Sequence, residues 1–234
     1  MLFLRSTGPE DPINALWAIN TLTGTERVIV DPRKFVDDQG SELPAAELAR
    51  RERARESAGG ITTYSLNSQG SRVTFTLGAE IVVADVDNGS LTSMTSTGAG
   101  FDPRLSADGR YVSFVVEDSL HVALADGSEP ARVLLQGDGK TVTWGSAEFV
   151  AAEEMRRSRG HWWDPNNDRL VVARVDVADV NLWHISAPDD PAKSPQTVRY
   201  PAAGTSNADV ELWLVNVHDA TQIQVTWNRS THPY

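Results

Sequence analysis

Two adjacent carboxylates, Glu153 and Glu154, sit in the run Glu148-Phe149-Val150-Ala151-Ala152-Glu153-Glu154-Met155-Arg156-Arg157. Two acids held close together repel until a cation relieves them, and that cation takes charge-assisted hydrogen bonds about twice as strong as neutral ones. Such a pair suits the capture of a cationic group. A plainer role is also open. Glu153 and Arg157 stand at i and i+4 with the acid first, the favourable order for a solvated ion pair worth roughly 0.3–0.5 kcal/mol.

The element that carries the pair decides between these roles. Ten residues without Gly or Pro, mostly strong helix formers, predict a helix over 148–157 with Phe149, Ala152 and Met155 facing a core. Neighbours on a helix point about 100° apart, so the two carboxylates converge only where the helix is short or ends in a cavity. A second charged run, Glu47-Leu48-Ala49-Arg50-Arg51-Glu52-Arg53-Ala54-Arg55, falls in a helical pattern over residues 41–57. Ser41 is its N-cap candidate, Pro44 follows closely, and Gly59-Gly60 is the expected stop. A salt-bridged, solvated helix face accounts for most of these arginines.

Everything else reads as short strands and turns. Leu16–Asn20 and Glu26–Val30 form one hairpin, ended by Asp31-Pro32, because proline cannot donate to a ladder. Leu2-Phe3-Leu4-Arg5 resembles an inner strand cut from a preceding repeat, so the chain is expected to lack its natural beginning. From Ile61 onward a repeat emerges. Ser68-Gln69-Gly70-Ser71-Arg72-Val73-Thr74-Phe75 matches Ser106-Ala107-Asp108-Gly109-Arg110-Tyr111-Val112-Ser113-Phe114 at a step of 39 residues, and each copy is followed by another hairpin. Four short strands per repeat of about 40–45 residues is the signature of a β-propeller blade.

A third copy, Trp163 to Arg174, places Asp168 where Gly109 stood, 59 residues on. The excess over the regular step is filled by the glutamate run, as though a helix had been grafted into an all-β repeat. Insertions of this kind tend to carry function, because the strands already hold the scaffold. Asn181–Ser186 is expected as the outer hairpin of this copy, with a further hairpin from Val210–Val217 and Ile223–Trp227. The fold expected is all-β: a partial propeller of about four antiparallel four-stranded blades over residues 1–234, with a short double-glutamate helix and an arginine-rich helix.

Composition narrows the function. A formal net charge of −11 argues against nucleic acid or an anionic membrane as partner. The absence of Cys excludes disulfides, thiolate metal sites and a cysteine nucleophile, and suits a cytoplasmic protein without ruling out a periplasmic or secreted one. The five histidines, at 121, 161, 184, 218 and 232, are scattered, and no metal or other cofactor is expected. Met1–Leu4 is too short for a signal segment of ~7–15 apolar residues, and no run approaches the ~20 of a membrane span. Asp85–Gly89 starts like a calcium loop, but its twelfth position is Ser96 rather than Glu, and an Asn-Gly turn explains it better. Gly204-Thr205-Ser206-Asn207-Ala208 resembles a nucleophile elbow without the buried strand that would present it.

Three stretches carry a resemblance. Trp144 to Glu154 with Gly160-His161-Trp162-Trp163-Asp164-Pro165, then Val198-Arg199-Tyr200-Pro201 through Ala208, and upstream Glu47–Arg55 with Gly60-Ile61-Thr62-Thr63-Tyr64, resemble in order the landmarks of the dipeptidyl peptidase IV group of the prolyl oligopeptidase family. The resemblance spans about residues 47 to 208. It implies the N-terminal propeller region of a serine exopeptidase that removes Xaa-Pro or Xaa-Ala dipeptides from peptide N-termini. It also implies that the catalytic triad lies in a C-terminal α/β-hydrolase domain absent from this chain, so no catalytic residue is assigned here. By the same resemblance Glu153 and Glu154 bind the substrate α-ammonium, and Arg51, counted back from Gly60-Ile61-Thr62, binds a substrate carbonyl, with Arg50 and Arg53 as neighbours. A homodimer of the full-length protein is compatible with it. The alternative from another class is a non-catalytic propeller that serves as a binding or scaffold module.

Overall fold

The computed structural model describes residues 1–35, 43–94, 98–186, 188 and 194–232. Ser41, the expected N-cap, and most of the Pro/Asp loop at 187–195 lie outside them. The described chain is a partial β-propeller of four sheets set face to face, with a separate two-stranded hairpin.

The first sheet joins β1 (Leu2–Arg5), β2 (Ile13–Ile19) and β3 (Glu26–Val30) as antiparallel neighbours. The opening strand pairs with the strand after it, Phe3 opposite Trp17, and belongs to the same sheet. Then comes α1 (Ala45–Arg53), shorter than the expected 41–57. It stops before the glycines: Arg55 turns left-handed at φ 51, and the Glu56 N–H reaches back to the Arg51 carbonyl at 2.8 Å. Gly59-Gly60 instead forms β4, laid parallel against Ile13-Asn14 of β2. Side chains are barred there, because a Cβ on Gly60 would stand 2.6 Å from the Asn14 carbonyl oxygen.

The two clear repeats are blades as expected. The second sheet orders β5 (Ser65–Leu66), β6 (Arg72–Leu77), β7 (Glu80–Asp85) and β8 (Leu91–Met94). The third orders β9 (Gly100–Leu105), β10 (Tyr111–Val116), β11 (Ser119–Leu124) and β12 (Arg132–Leu135).

The fourth sheet departs from the regular plan. It contains β13 (Val142–Trp144), β14 (His161–Trp163) and β15 (Arg169–Asp176). Between β13 and β14 runs α2 (Phe149–Glu153). The next strands, β16 (Leu182–Ile185) and β17 (Gln196–Arg199), pair only with each other. β15 pairs instead with β18 (Asp209–Asn216), followed by β19 (Gln222–Val225). Residues 181–186, expected to be the outer hairpin of this copy, thus stand off the blade with Leu182, Trp183 and Ile185 exposed, and the chain from 209 completes it. The turn register also moves by one residue. The left-handed position matching Gly70 and Gly109 is Asn167, not Asp168.

Three cores fill the three spaces between four sheets. Leu16, Val30, Val73 and Phe75 pack in the first, Ile81, Val83, Val112 and Phe114 in the second, and Val115, Leu120, Leu170 and Val215 in the third. Successive blades are also tied by a recurring arginine. Arg27 on outer strand β3 donates to the Val86 carbonyl beyond β7, and Arg132 on outer strand β12 donates to the Val217 carbonyl beyond β18.

Candidate functional site

The glutamate insertion is a closed excursion from one strand. β13 and β14 both pair with β15, Trp144 opposite Arg174 and His161 opposite Val172, as two halves of a single interrupted strand. The residue between, Ala173, is shared: its carbonyl accepts from Gly145 N at 2.9 Å and its N–H donates to Gly160 O at 2.8 Å. The two glycines mark the points where the chain leaves and re-enters the sheet. Residues 146–159 can therefore carry a helix without disturbing the ladder.

Within the excursion, Glu148 caps α2. Its carboxylate is buried and accepts from the backbone N–H groups of Val150 and Ala151. An N-cap that satisfies two orphan donors is worth about 1–2 kcal/mol. Glu148→Ala is expected to lower unfolding stability by that amount in a urea titration, with Glu148→Gln closer to wild type; an unchanged midpoint for the alanine variant would contradict the capping role. The helix is half as long as the sequence predicts. Ala151, not Ala152 or Met155, faces the core, and Met155 is 49% exposed. The helix ends because Arg156 turns left-handed at φ 53, and Arg157 N–H then closes on the Ala151 carbonyl at 2.9 Å.

The expected Glu153–Arg157 pair does not form. Arg157 donates to the Arg159 carbonyl and lies over the Trp162 ring. Glu153, the last residue of α2, instead accepts from Arg53 Nε at 2.5 Å, a partner one hundred positions away at the end of α1. The same guanidinium lies 5.5 Å from the Phe149 ring centroid, and Phe149 meets Tyr200 edge-on at 5.2 Å. Tyr200 meets Trp183 at 5.1 Å. The three stretches singled out in the sequence therefore converge in space.

Between α1 and α2 lies a cavity of about 460 Å³, lined by Arg50, Arg53, Ala54, Ala152, Glu153, Arg156 and Ser158. Glu153 enters it. Glu154, one residue on as the C-cap, does not line it, and its carboxylate has no ion-pair partner among the described residues. Arg51 also lies outside the lining: its Nε donates to Glu47 Oε1 at 2.8 Å. Arg50 is bidentate on the same Glu47 while lining the cavity.

Glu47 was not singled out by sequence reasoning. It is only 3% exposed, and although burial opposes its charge, hydrogen bonds from Arg50 and Arg51 hold its carboxyl below the usual range. Its spacing, three and four residues before Arg50 and Arg51, is the signal that could have found it. Glu47 pins two arginines and leaves Arg53 for Glu153. Arg50 also donates to the Thr62 hydroxyl at 3.3 Å.

Behind the insertion lies a polar cluster of buried His161 with half-buried Asp102, Arg104 and Arg159. His161 is fully buried, with Nδ1 2.9 Å from the Gly145 carbonyl oxygen. Burial drives its pKa below 6.5, with Arg104 and Arg159 acting in the same direction against Asp102. His121, also buried, moves the same way. The folded state therefore holds both rings neutral, while the unfolded chain protonates them below about pH 6.5. Stability is expected to fall as pH drops through 6.5, by up to about 1.4 kcal/mol per pH unit per histidine until the folded-state pKa is reached. Urea midpoints at pH 7.5 and 5.5 measure this. His161→Asn, which keeps a donor for Gly145, should flatten the slope; an equally steep slope in that variant would contradict the assignment.

Among the described residues no three His, Asp or Glu side chains stand together as a metal-ligand group, and no helix is long and apolar enough to cross a membrane.

Known proteins resemble this chain. Residues 58–234 match the family described as the dipeptidyl peptidase IV (DPP IV) N-terminal region, and the chain belongs to that family. The match begins after α1, so the arginine helix lies outside it. Dipeptidyl aminopeptidase B of Saccharomyces cerevisiae is 22% identical over 115 residues, covering 47% of this chain and 14% of the yeast protein. Dipeptidyl peptidase 8 of Homo sapiens is 24% identical over 189 residues, covering 68% of this chain and 21% of the human protein. The crystal structure of Porphyromonas gingivalis dipeptidyl peptidase 4 superposes with a TM-score of 0.65 at 22% identity, over 91% of this chain and 30% of that one, and supports the propeller fold. The chain thus spans 14% to 21% of the length of these two curated relatives.

Proposed function

We propose that this chain is the substrate-recognition portion of a dipeptidyl peptidase IV-like serine exopeptidase, and that it captures the free α-ammonium of peptide N-termini. One observation carries the reading. Glu153 already holds a cation, the Arg53 guanidinium, at the mouth of a cavity large enough for a dipeptide. A carboxylate that holds a guanidinium there is placed to hold an ammonium. Glu154, adjacent and without an ion-pair partner among the described residues, supplies a second acceptor by a change of rotamer. The arginines that line the cavity, Arg53 and Arg50, are those placed to donate to a substrate carbonyl; Arg51, which Glu47 also holds, lies outside the lining. Fixing the amine at a set distance from a nucleophile turns binding energy into cleavage register, two residues from the N-terminus. The nucleophile and its triad belong to an α/β-hydrolase domain of the full-length protein.

Titration of this chain with Gly-Pro-amide and with N-acetyl-Gly-Pro-amide, followed by calorimetry or NMR shifts, tests the reading. The free amine is expected to bind, and acetylation to abolish binding. Equal binding of both peptides would overturn amine capture. This chain alone is expected to leave a Gly-Pro reporter amide intact. Turnover that survives purification and is lost on Ser206→Ala would overturn the division of labour.

A further inference from the structure

The charges around the cavity are unevenly matched. Among its lining side chains are three guanidinium groups, Arg50, Arg53 and Arg156, and one carboxylate, Glu153. Arg50 is held by Glu47, and Arg53 by Glu153. Arg156 has neither an ion-pair nor a hydrogen-bond partner for its guanidinium among the described residues. The next two arginines are engaged elsewhere, Arg157 on the Arg159 carbonyl and Arg159 on the His161 carbonyl. Arg156 is therefore the surplus cation of the site, three positions beyond Glu153.

A ligand that brings only an ammonium makes this imbalance worse. It displaces Arg53 from Glu153 and leaves two guanidinium groups facing a bound cation. A ligand that also brings a carboxylate cancels the charge its ammonium adds and offers Arg156 a partner. In a peptide the α-ammonium and the first side chain leave the same carbon, so an acidic first residue presents both charges within one side-chain length.

We infer that Arg156 gives this site a preference for peptides whose first residue is Asp or Glu, its guanidinium pairing with that side-chain carboxylate while Glu153 holds the ammonium. The inference rests on the amine-capture reading above and adds a substrate class to it. A first-residue Lys or Arg is disfavoured by the same surplus. The pair is partly solvated, so the preference is modest and salt-sensitive: roughly three- to thirtyfold at low ionic strength, shrinking as salt rises.

The test titrates this chain with Glu-Pro-amide, Gln-Pro-amide and Lys-Pro-amide. The first two are close to isosteric, so their ratio isolates the charge. Wild type is expected to rank Glu over Gln over Lys. Arg156→Gln should bring the Glu-to-Gln ratio to about one, and Arg156→Glu should place Lys first; an inverted ranking is something a merely structural residue does not produce. Thermal unfolding of the variants serves as the fold control, since Arg156 is exposed and unpartnered among the described residues. Equal affinity for the Glu and Gln peptides in wild type, or a ratio that survives Arg156→Gln, overturns the inference. If all three peptides bind alike yet depend on Glu153, the preference falls and amine capture stands. If none binds, both fall.

Discussion

Replacing Gly160 by Ala is expected to destabilise the fold by about 3 kcal/mol, at the upper end of overpacking costs. The added Cβ would stand 2.4 Å from the Ser146 carbonyl carbon and 2.5 Å from the Gly145 carbonyl carbon and the Ser146 nitrogen. All three are backbone atoms, so no rotamer change relieves the clash. The strand must open at the point where β13 and β14 meet. Both bonds to Ala173 are then at risk, and with them the aim of α2. Gly8 is the natural comparison, because a Cβ there meets nothing within 4 Å and Gly8→Ala should be near neutral. Urea titration of the two variants measures the difference; equal midpoints would mean that the excursion is not closed as described.

Glu153→Ala is expected to weaken binding of free-amine dipeptide amides by about 1.5–3 kcal/mol, or roughly 10- to 150-fold, the range for hydrogen bonds to charged groups. The side chain is 35% exposed, so the lower half of that range is the better guide. Glu154→Ala should cost less, since its carboxylate reaches the ammonium only after rotation. N-acetylated peptides should be indifferent to both changes. Were Glu153 no more than a solvated partner of Arg53, its loss would leave peptide affinity unchanged.

The fold was legible where the sequence repeats. Gly70 and Gly109 both occupy left-handed turns before alternating strands, and period and turn chemistry agree there. It was less legible where long-range pairing overrides local pattern. Leu182–Ile185 alternates like a blade strand, yet β15 takes β18, because the register from Arg169↔Asn216 to Asp176↔Asp209 buries Leu170, Val172 and Val215. Helix lengths failed for a related reason. Residues 154–157 and 54–55 have helical propensity, but Arg156 and Arg55 take left-handed backbone that no composition rule assigns to arginine. At the site, the paired acids and the arginine run were visible as residue types. Which arginine meets which acid was not, because Glu47 decides it by claiming Arg50 and Arg51. That choice depends on how deeply Glu47 is buried, which spacing alone does not show.

A crystal structure of this chain with Gly-Pro-amide bound tests the central claim most directly. Amine capture requires the peptide nitrogen at hydrogen-bonding distance, about 2.7–3.2 Å, from the Glu153 carboxylate, with Arg53 displaced from its 2.5 Å contact. A peptide seated elsewhere, with the Arg53–Glu153 pair intact, would contradict it.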